Sequence, residues 1–237
     1  MAEELADKKT EVTSQDMAEA LHRAWCKYFG GPPERKSVLV LLSQWAFETA
    51  AGKSMHNFNV GNAKARPDGS YDFQYYACHE RLPITRAKKY QSDSPTTAKI
   101  TRDNGDGTAI IWFYPRHPVS CFRAFKTLDD GVFDHLMLLV RHDKFQQAWP
   151  AVAAGAPEEF CKLLRKAGYY TGDQAVYTAG VLRYFNQYNQ SIKLPDPPTF
   201  TPEEQREIRN SITMNLQRMV DESLYAMRGH TDEDEKA

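Results

Sequence analysis

Helical spacing of apolar residues runs through both ends of this chain, and a β-prone stretch interrupts it. On the N-terminal side Met17, Leu21, Trp25 and Tyr28 recur at intervals of 4, 4 and 3, the mark of one helix face. On the C-terminal side Val132, Leu136, Leu139 and Val140 repeat it, as do Phe160, Leu163 and Leu164, then Val176, Val181 and Phe185. Between them, residues 71–77 are aromatic, and the runs 98–102 and 108–114 flank Asp103-Asn104-Gly105-Asp106-Gly107. Asn-Gly and Asp-Gly form hairpin turns because glycine takes the positive φ such turns need. This order predicts an α+β fold, mostly helical, with a small β-hairpin lobe.

Boundaries follow from charge, glycine and proline. Residues 1–12 (MAEELADKKTEV) are charged and aperiodic, so a disordered N-terminus is expected. A first helix is predicted to follow, capped by Thr13 or Ser14 and ended by Gly30-Gly31-Pro32-Pro33. A second, amphipathic helix is predicted from about Glu34 to Ala50. Leu39, Leu42, Trp45 and Ala46 lie on its apolar face, and Gly52 is its stop. One domain is expected over 13–190, then a proline-rich linker over 191–200. Thr201-Pro202-Glu203-Glu204 combines an N-cap, a first-turn proline and a capping-box glutamate. It opens a predicted helix over 201–228, striped by Ile208, Ile212, Leu216, Met219, Val220, Leu224 and Met227. A lone amphipathic helix must bury its stripe on its own domain, on a protein partner or on a second copy. An acidic tail, 229–237, follows.

Composition excludes several classes. The 30 basic and 31 acidic residues leave a net charge of -1, with no basic surface to attract nucleic acid. Mean hydropathy is -0.62, and no apolar run approaches a membrane span. The N-terminus has no apolar signal core. The expectation is therefore synthesis in the cytoplasm, with any substrate outside reached by lysis, a secretion machine or a virion. Cys26, Cys78, Cys121 and Cys161 are widely spaced, which argues against zinc and for free thiols. No H-x-x-x-H or H-E-x-x-H pair, P-loop, dinucleotide fingerprint or G-x-S-x-G elbow occurs. The hairpin acids have part of a calcium loop's pattern, but position 114 is Tyr where its closing glutamate would stand. Cys78-His79, or Cys121 with His117, lacks the helix N-terminus that activates a thiol nucleophile. No metal or cofactor is implied.

Glu48 carries the chemistry. It sits among Trp45, Ala46, Phe47, Ala50 and Ala51, just before a glycine stop and an asparagine-rich loop. A carboxylic acid shielded from water in this way has a raised pKa, as a general acid for glycoside cleavage requires. An exposed helix-end glutamate is the bland alternative. Glycoside cleavage also uses a second carboxylate. Glu80 is the first candidate and Asp72 the next. Asp103 and Asp106 suit the turn better. Asn59 and Asn62 can bond sugar hydroxyl or acetamido groups, or simply brace the loop. Trp45, Phe58, Tyr75 and Trp112 can stack on sugar rings or fill the core.

The blocks around these residues resemble a known family. Gln44-Trp45-Ala46-Phe47-Glu48-Thr49-Ala50-Ala51-Gly52-Lys53-Ser54 is similar to the QxALETGWGxS signature of the glucosaminidase family of peptidoglycan hydrolases. This is glycoside hydrolase family 73, a lysozyme-like group that includes flagellar rod-cap enzymes and phage lysins. Asn59-Val60-Gly61-Asn62-Ala63-Lys64-Ala65 resembles its N-(L/I)-(F/G)-N-I-K-A segment. Phe122-Arg123-Ala124-Phe125, with Leu128 and Gly131, resembles its F-R-x-Y-x-S-x-x-x-G stretch. Gly168-Tyr169-Tyr170-Thr171 with Tyr177 resembles its GYATDPxY block. The matches lie in order over about 35–190.

The resemblance implies a lysozyme-like domain that cleaves peptidoglycan glycan strands after N-acetylglucosamine, with Glu48 as general acid. The family's second acid lies in the β-lobe shortly after an aromatic strand, the place of Glu80 here. Tyr177 matches a late tyrosine that helps to position substrate, and Tyr170 is similar but weaker. Two departures stand out. Ala50-Ala51 replaces the family's Gly-Trp, and its late lysine is lost around Gly180. Muramidase or lytic transglycosylase chemistry on the same fold is an alternative. So is a structural protein with a degenerate lysozyme fold, part of a virion, injection device or secretion apparatus.

Overall fold

Helix α2 (Arg35–Glu48) is buried on every side from Ser37 to Ala46, and the other helices are laid around it. A helix apolar all round belongs in a core. The single apolar face expected for α2 is therefore corrected: Val38, Val40 and Leu41 are as buried as Leu39 and Leu42. The three polar side chains in this run have partners: Ser37 donates to the Ala153 carbonyl at 3.1 Å, Ser43 donates to the Leu39 carbonyl at 2.6 Å, and Gln44 faces His135. Helix α1 (Ser14–Phe29) packs against α2, as do α5 (Trp149–Ala153) and α7 (Gln174–Ser191). Helix α4 (Leu128–Arg141) lies on α1, and α6 (Pro157–Lys166) on α7. Trp45 is 1% exposed at the centre, where truncation to alanine costs about 3–5 kcal/mol. The computed structural model describes residues 2–170, 172–196 and 199–207, with Asn210 and Thr213.

The β-lobe contains two small antiparallel sheets. Strand β1 (Phe73–Tyr75) pairs with β5 (Cys121–Arg123). Strands β2 (Cys78–Pro83), β3 (Ala98–Asp103) and β4 (Thr108–Phe113) form a sheet in the order β2-β4-β3. The expected β3-β4 hairpin is present. Asp103 accepts from the Gly105 amide at 2.9 Å and Asp106 from the Thr108 amide at 3.0 Å. Both acids thus build the turn. A further helix, α3 (Ile84–Asp93), covers the sheet's inner face through Ala87. It is short and polar, and only Ile84, Ala87 and Tyr90 turn toward the sheet, too few for the spacing to stand out in the sequence.

Residues 2–12, expected to be disordered, instead form an extended strap. Leu5 donates its amide to the Phe73 carbonyl at 2.8 Å, and Phe73 donates to Glu3 at 3.0 Å. Asn57 donates to the Lys8 carbonyl at 2.8 Å and Thr10 to Met55 at 3.0 Å. Glu4 pairs with Arg116 at 2.6 Å. Backbone pairing to an edge strand orders a segment that has no apolar period of its own. At the other end, Thr201 and Glu204 form the expected reciprocal cap, but most of the predicted 201–228 helix lies outside the described residues. The four cysteines are unpaired. Among the described residues no helix is long and apolar enough to cross a membrane.

Candidate active site

Three left-handed residues turn the chain where α2 ends. Thr49 caps the helix, donating to the Trp45 carbonyl at 2.7 Å and accepting from the Gly52 amide at 3.0 Å. Ala50, Ala51 and Gly52 then take φ of 50, 55 and 90°. Glu48, the last helical residue, is left at the bottom of a cleft of about 1480 Å³ between the helices and the β-lobe. Burial raises its pKa above the ordinary carboxylate range, and a hydrogen bond from Tyr177 partly offsets this. The negative end of the helix dipole also disfavours a carboxylate there.

Helix α7 supplies the partner. Tyr177 donates from its hydroxyl to Glu48 Oε1 at 2.7 Å. The Tyr170 ring lies parallel on Tyr177, 3.7 Å away with 4° between planes, and its hydroxyl is tied to the Cys161 carbonyl at 3.0 Å. Phe47 meets Tyr177 edge-on at 4.9 Å. Gly180 makes room for this, since a Cβ there would stand 2.1 Å from the Phe47 ring. Burial first, and then the charge of Glu48, hold the Tyr177 phenol well above its usual pKa, so it stays a donor.

The loop from 53 to 65 forms the cleft floor. Asn62, at φ 50°, accepts from the Tyr76 hydroxyl at 3.1 Å, and its amide lies 3.5 Å from the Glu48 carbonyl. It therefore ties the end of α2 to the β-lobe. Asn59 does not face the cleft. Its amide donates to the Ala63 and Arg123 carbonyls at 2.9 and 3.1 Å, its oxygen accepts from the Ala63 amide at 2.8 Å, and it is 1% exposed. The substrate-binding role expected of Asn59 is thus corrected to bracing the loop. Tyr169, which lines the cleft, donates to the Gly61 carbonyl at 3.0 Å. Beneath Gly61 lies buried His135, whose pKa burial lowers to about 4.

The β-lobe provides the opposite wall. Glu80 sits half-buried on the edge strand β2 and lines the same cleft as Glu48. Lys64 lies beside it, donating to the Val119 carbonyl at 2.6 Å, 3.7 Å from Cys78 Sγ and 3.7 Å above the Phe122 ring. Loss of water lowers the Lys64 pKa, and Cys78 and Glu80 oppose this. The Tyr76 ring is held between His56 at 4.3 Å and Phe122 at 4.0 Å. Asp72 is elsewhere: it accepts from the Glu3 amide at 2.9 Å and borders a separate cavity of about 830 Å³. Trp45 and Phe58 belong to the core.

Lys64, Tyr76 and Tyr169 are cleft residues that motif reading passed over. Lys64 and Tyr169 lie in the sequence close to Asn62 and beside Tyr170, within the segments that carry the family resemblance. Tyr76 ends the aromatic run before Glu80.

A helical frame, a β-lobe and an open cleft with a carboxylate on each wall define a glycoside hydrolase of lysozyme-like architecture. The glucosaminidase family model, described as mannosyl-glycoprotein endo-beta-N-acetylglucosaminidase, matches residues 35–190, and the chain belongs to this family. It is a peptidoglycan-degrading glycosidase. The match runs from the start of α2 almost to the end of α7 and so takes in both walls of the cleft. No curated protein and no solved structure matches the chain.

Proposed function

We propose that the protein is an endo-β-N-acetylglucosaminidase, with Glu48 as general acid and Glu80 as second carboxylate. The observation that carries this is the Tyr177–Glu48 hydrogen bond at a carboxyl group whose pKa burial raises. In the first step Glu48 gives its proton to the glycosidic oxygen as the bond to the anomeric carbon breaks. Tyr177 then steadies the carboxylate left behind. Glu80 activates a water or stabilises the oxocarbenium-like charge, and the sugar's 2-acetamido group is an internal nucleophile available for the same purpose. Tyr170 positions Tyr177 by stacking, and Asn62 keeps the floor in register with the acid.

A zymogram on purified peptidoglycan, comparing wild type with Glu48→Gln and Glu80→Gln, tests the roles. Clearing by wild type alone is expected. Full activity in Glu80→Gln removes the second acid. Product analysis tests the bond: new reducing ends should be N-acetylglucosamine. Reducing-end muramic acid or a 1,6-anhydro end reassigns the enzyme to muramidase or lytic transglycosylase chemistry.

A further inference from the structure

The strand that carries Glu80 has a second face. Side chains alternate across a strand, so His79, Arg81 and Pro83 point away from Cys78, Glu80 and Leu82. On the central strand β4 the buried set is Ala109, Ile111 and Phe113, which with Ala87 and Ala98 makes the lobe's own core. The outward set includes Ile110 and Trp112, with Tyr114 next along the chain. His79, Trp112 and Lys99 stand in register across the three strands. The His79 and Trp112 rings are 5.1 Å apart, and the Trp112 and Tyr114 rings 6.5 Å apart with 25° between planes.

These rings do no packing work inside the lobe. Tyr114 is 37% exposed, and neither it nor Trp112 belongs to any apolar cluster among the described residues. With 32° and 25° between successive ring planes, the rings form a tilted, stacked row on an open face of the sheet, not a groove, and so suit a ribbon-like polymer better than a helix. Aromatic faces take up the C–H faces of sugars, while the tyrosine hydroxyl and indole N–H bond their hydroxyl groups. His79 also lines the catalytic cleft, so the row begins at the cleft mouth and continues outward. Exposed Lys99 beside Trp112 complements the carboxylates of peptidoglycan stem peptides.

We propose that His79, Trp112, Tyr114 and Lys99 form an accessory platform that holds the peptidoglycan strand as it leaves the cleft. The proposal rests on reading the cleft as a glycan site, but its test needs no turnover. Full-length Glu48→Gln protein is sedimented with insoluble peptidoglycan and compared with the same protein carrying Trp112→Ala, Tyr114→Ala or both. The double variant is expected to bind about tenfold more weakly, the equivalent of one to two lost ring contacts, with an unchanged melting temperature. Trp112→Phe, which keeps a ring, should retain most of the binding. Equal binding by the double variant and its parent overturns the platform, as does equal loss in Trp112→Phe and Trp112→Ala. A wild-type dimer that Trp112→Ala splits into monomers assigns the face to a second copy and overturns it too. Absence of lysis by wild type counts against the glycosidase reading alone.

Discussion

Tyr177 reaches Glu48 from a helix 129 residues further along the chain and donates to its Oε1 at 2.7 Å. The bond favours the carboxylate, against the burial that favours the acid. Removing it with Tyr177→Phe should therefore raise the Glu48 pKa further. A general acid works while protonated, so the basic limb of the kcat/KM–pH profile should move to higher pH, with about tenfold lower activity at the optimum. An unshifted limb in the pH series counts against Glu48 as the group that titrates there.

Glu48 also sets a stability cost. Its folded pKa lies above its unfolded one, so the folded state holds the proton more tightly. The stability it contributes is complete below the unfolded pKa, roughly 4.3, and is lost as pH rises through the folded value. Glu48→Gln escapes that loss and keeps an acceptor for Tyr177. Denaturant titrations should find it more stable than wild type at neutral pH, with the two converging in acid.

His135 has the opposite sign. Its folded pKa of about 4 lies below the ordinary histidine value of 6.5. As pH falls, the unfolded chain takes up the proton first. Stability present above pH 6.5 is therefore lost progressively down to about pH 4, by about 3 kcal/mol in all. His135→Leu should flatten this acid limb in melting curves recorded across the same range, whatever its effect at neutral pH.

Ala50 sits exposed with φ of 50°, a conformation that costs an L residue about 1 kcal/mol and glycine almost nothing. Ala50→Gly should raise stability by up to about 1 kcal/mol, less the extra entropy of the unfolded glycine. A lower denaturation midpoint would show that the strain is not where the backbone angle puts it.

Gly131 lets α4 meet the cleft loop. A Cβ there would fall 1.9 Å from the Phe58 carbonyl oxygen, a backbone atom that cannot step aside. Gly131→Ala should cost about 2–3 kcal/mol, and hydrogen exchange should quicken first in the loop amides.

Much of the site was legible before folding because its signals were local. Glu48 stood among apolar neighbours ahead of a glycine, and a turn sequence announced the β3-β4 hairpin. The residues misjudged depend on distant atoms. Whether Asn59 faces sugar or loop is decided by the Arg123 carbonyl, 64 residues away. In helix α2 the spacing of Leu39, Leu42, Trp45 and Ala46 marks one apolar face, and only the packing of α1, α5 and α7 against it shows that every side is covered. The loss of the family's late lysine near Gly180 had no visible reason in the sequence. Against Phe47 it has one, because α7 approaches too closely there for a side chain.

The strap of residues 3–10 has a consequence for the order of assembly. It is translated before every element it touches, yet its backbone partners are Met55, Asn57 and Phe73, and Phe73 in turn needs β5 at Cys121–Arg123. Residues 8–10 can pair once 55–57 are in place, but residues 3–5 pair at full strength only after β1 has found β5, about 120 residues further on. Contacts of such long sequence separation close late, so the strap zips onto the domain from its inner end outward.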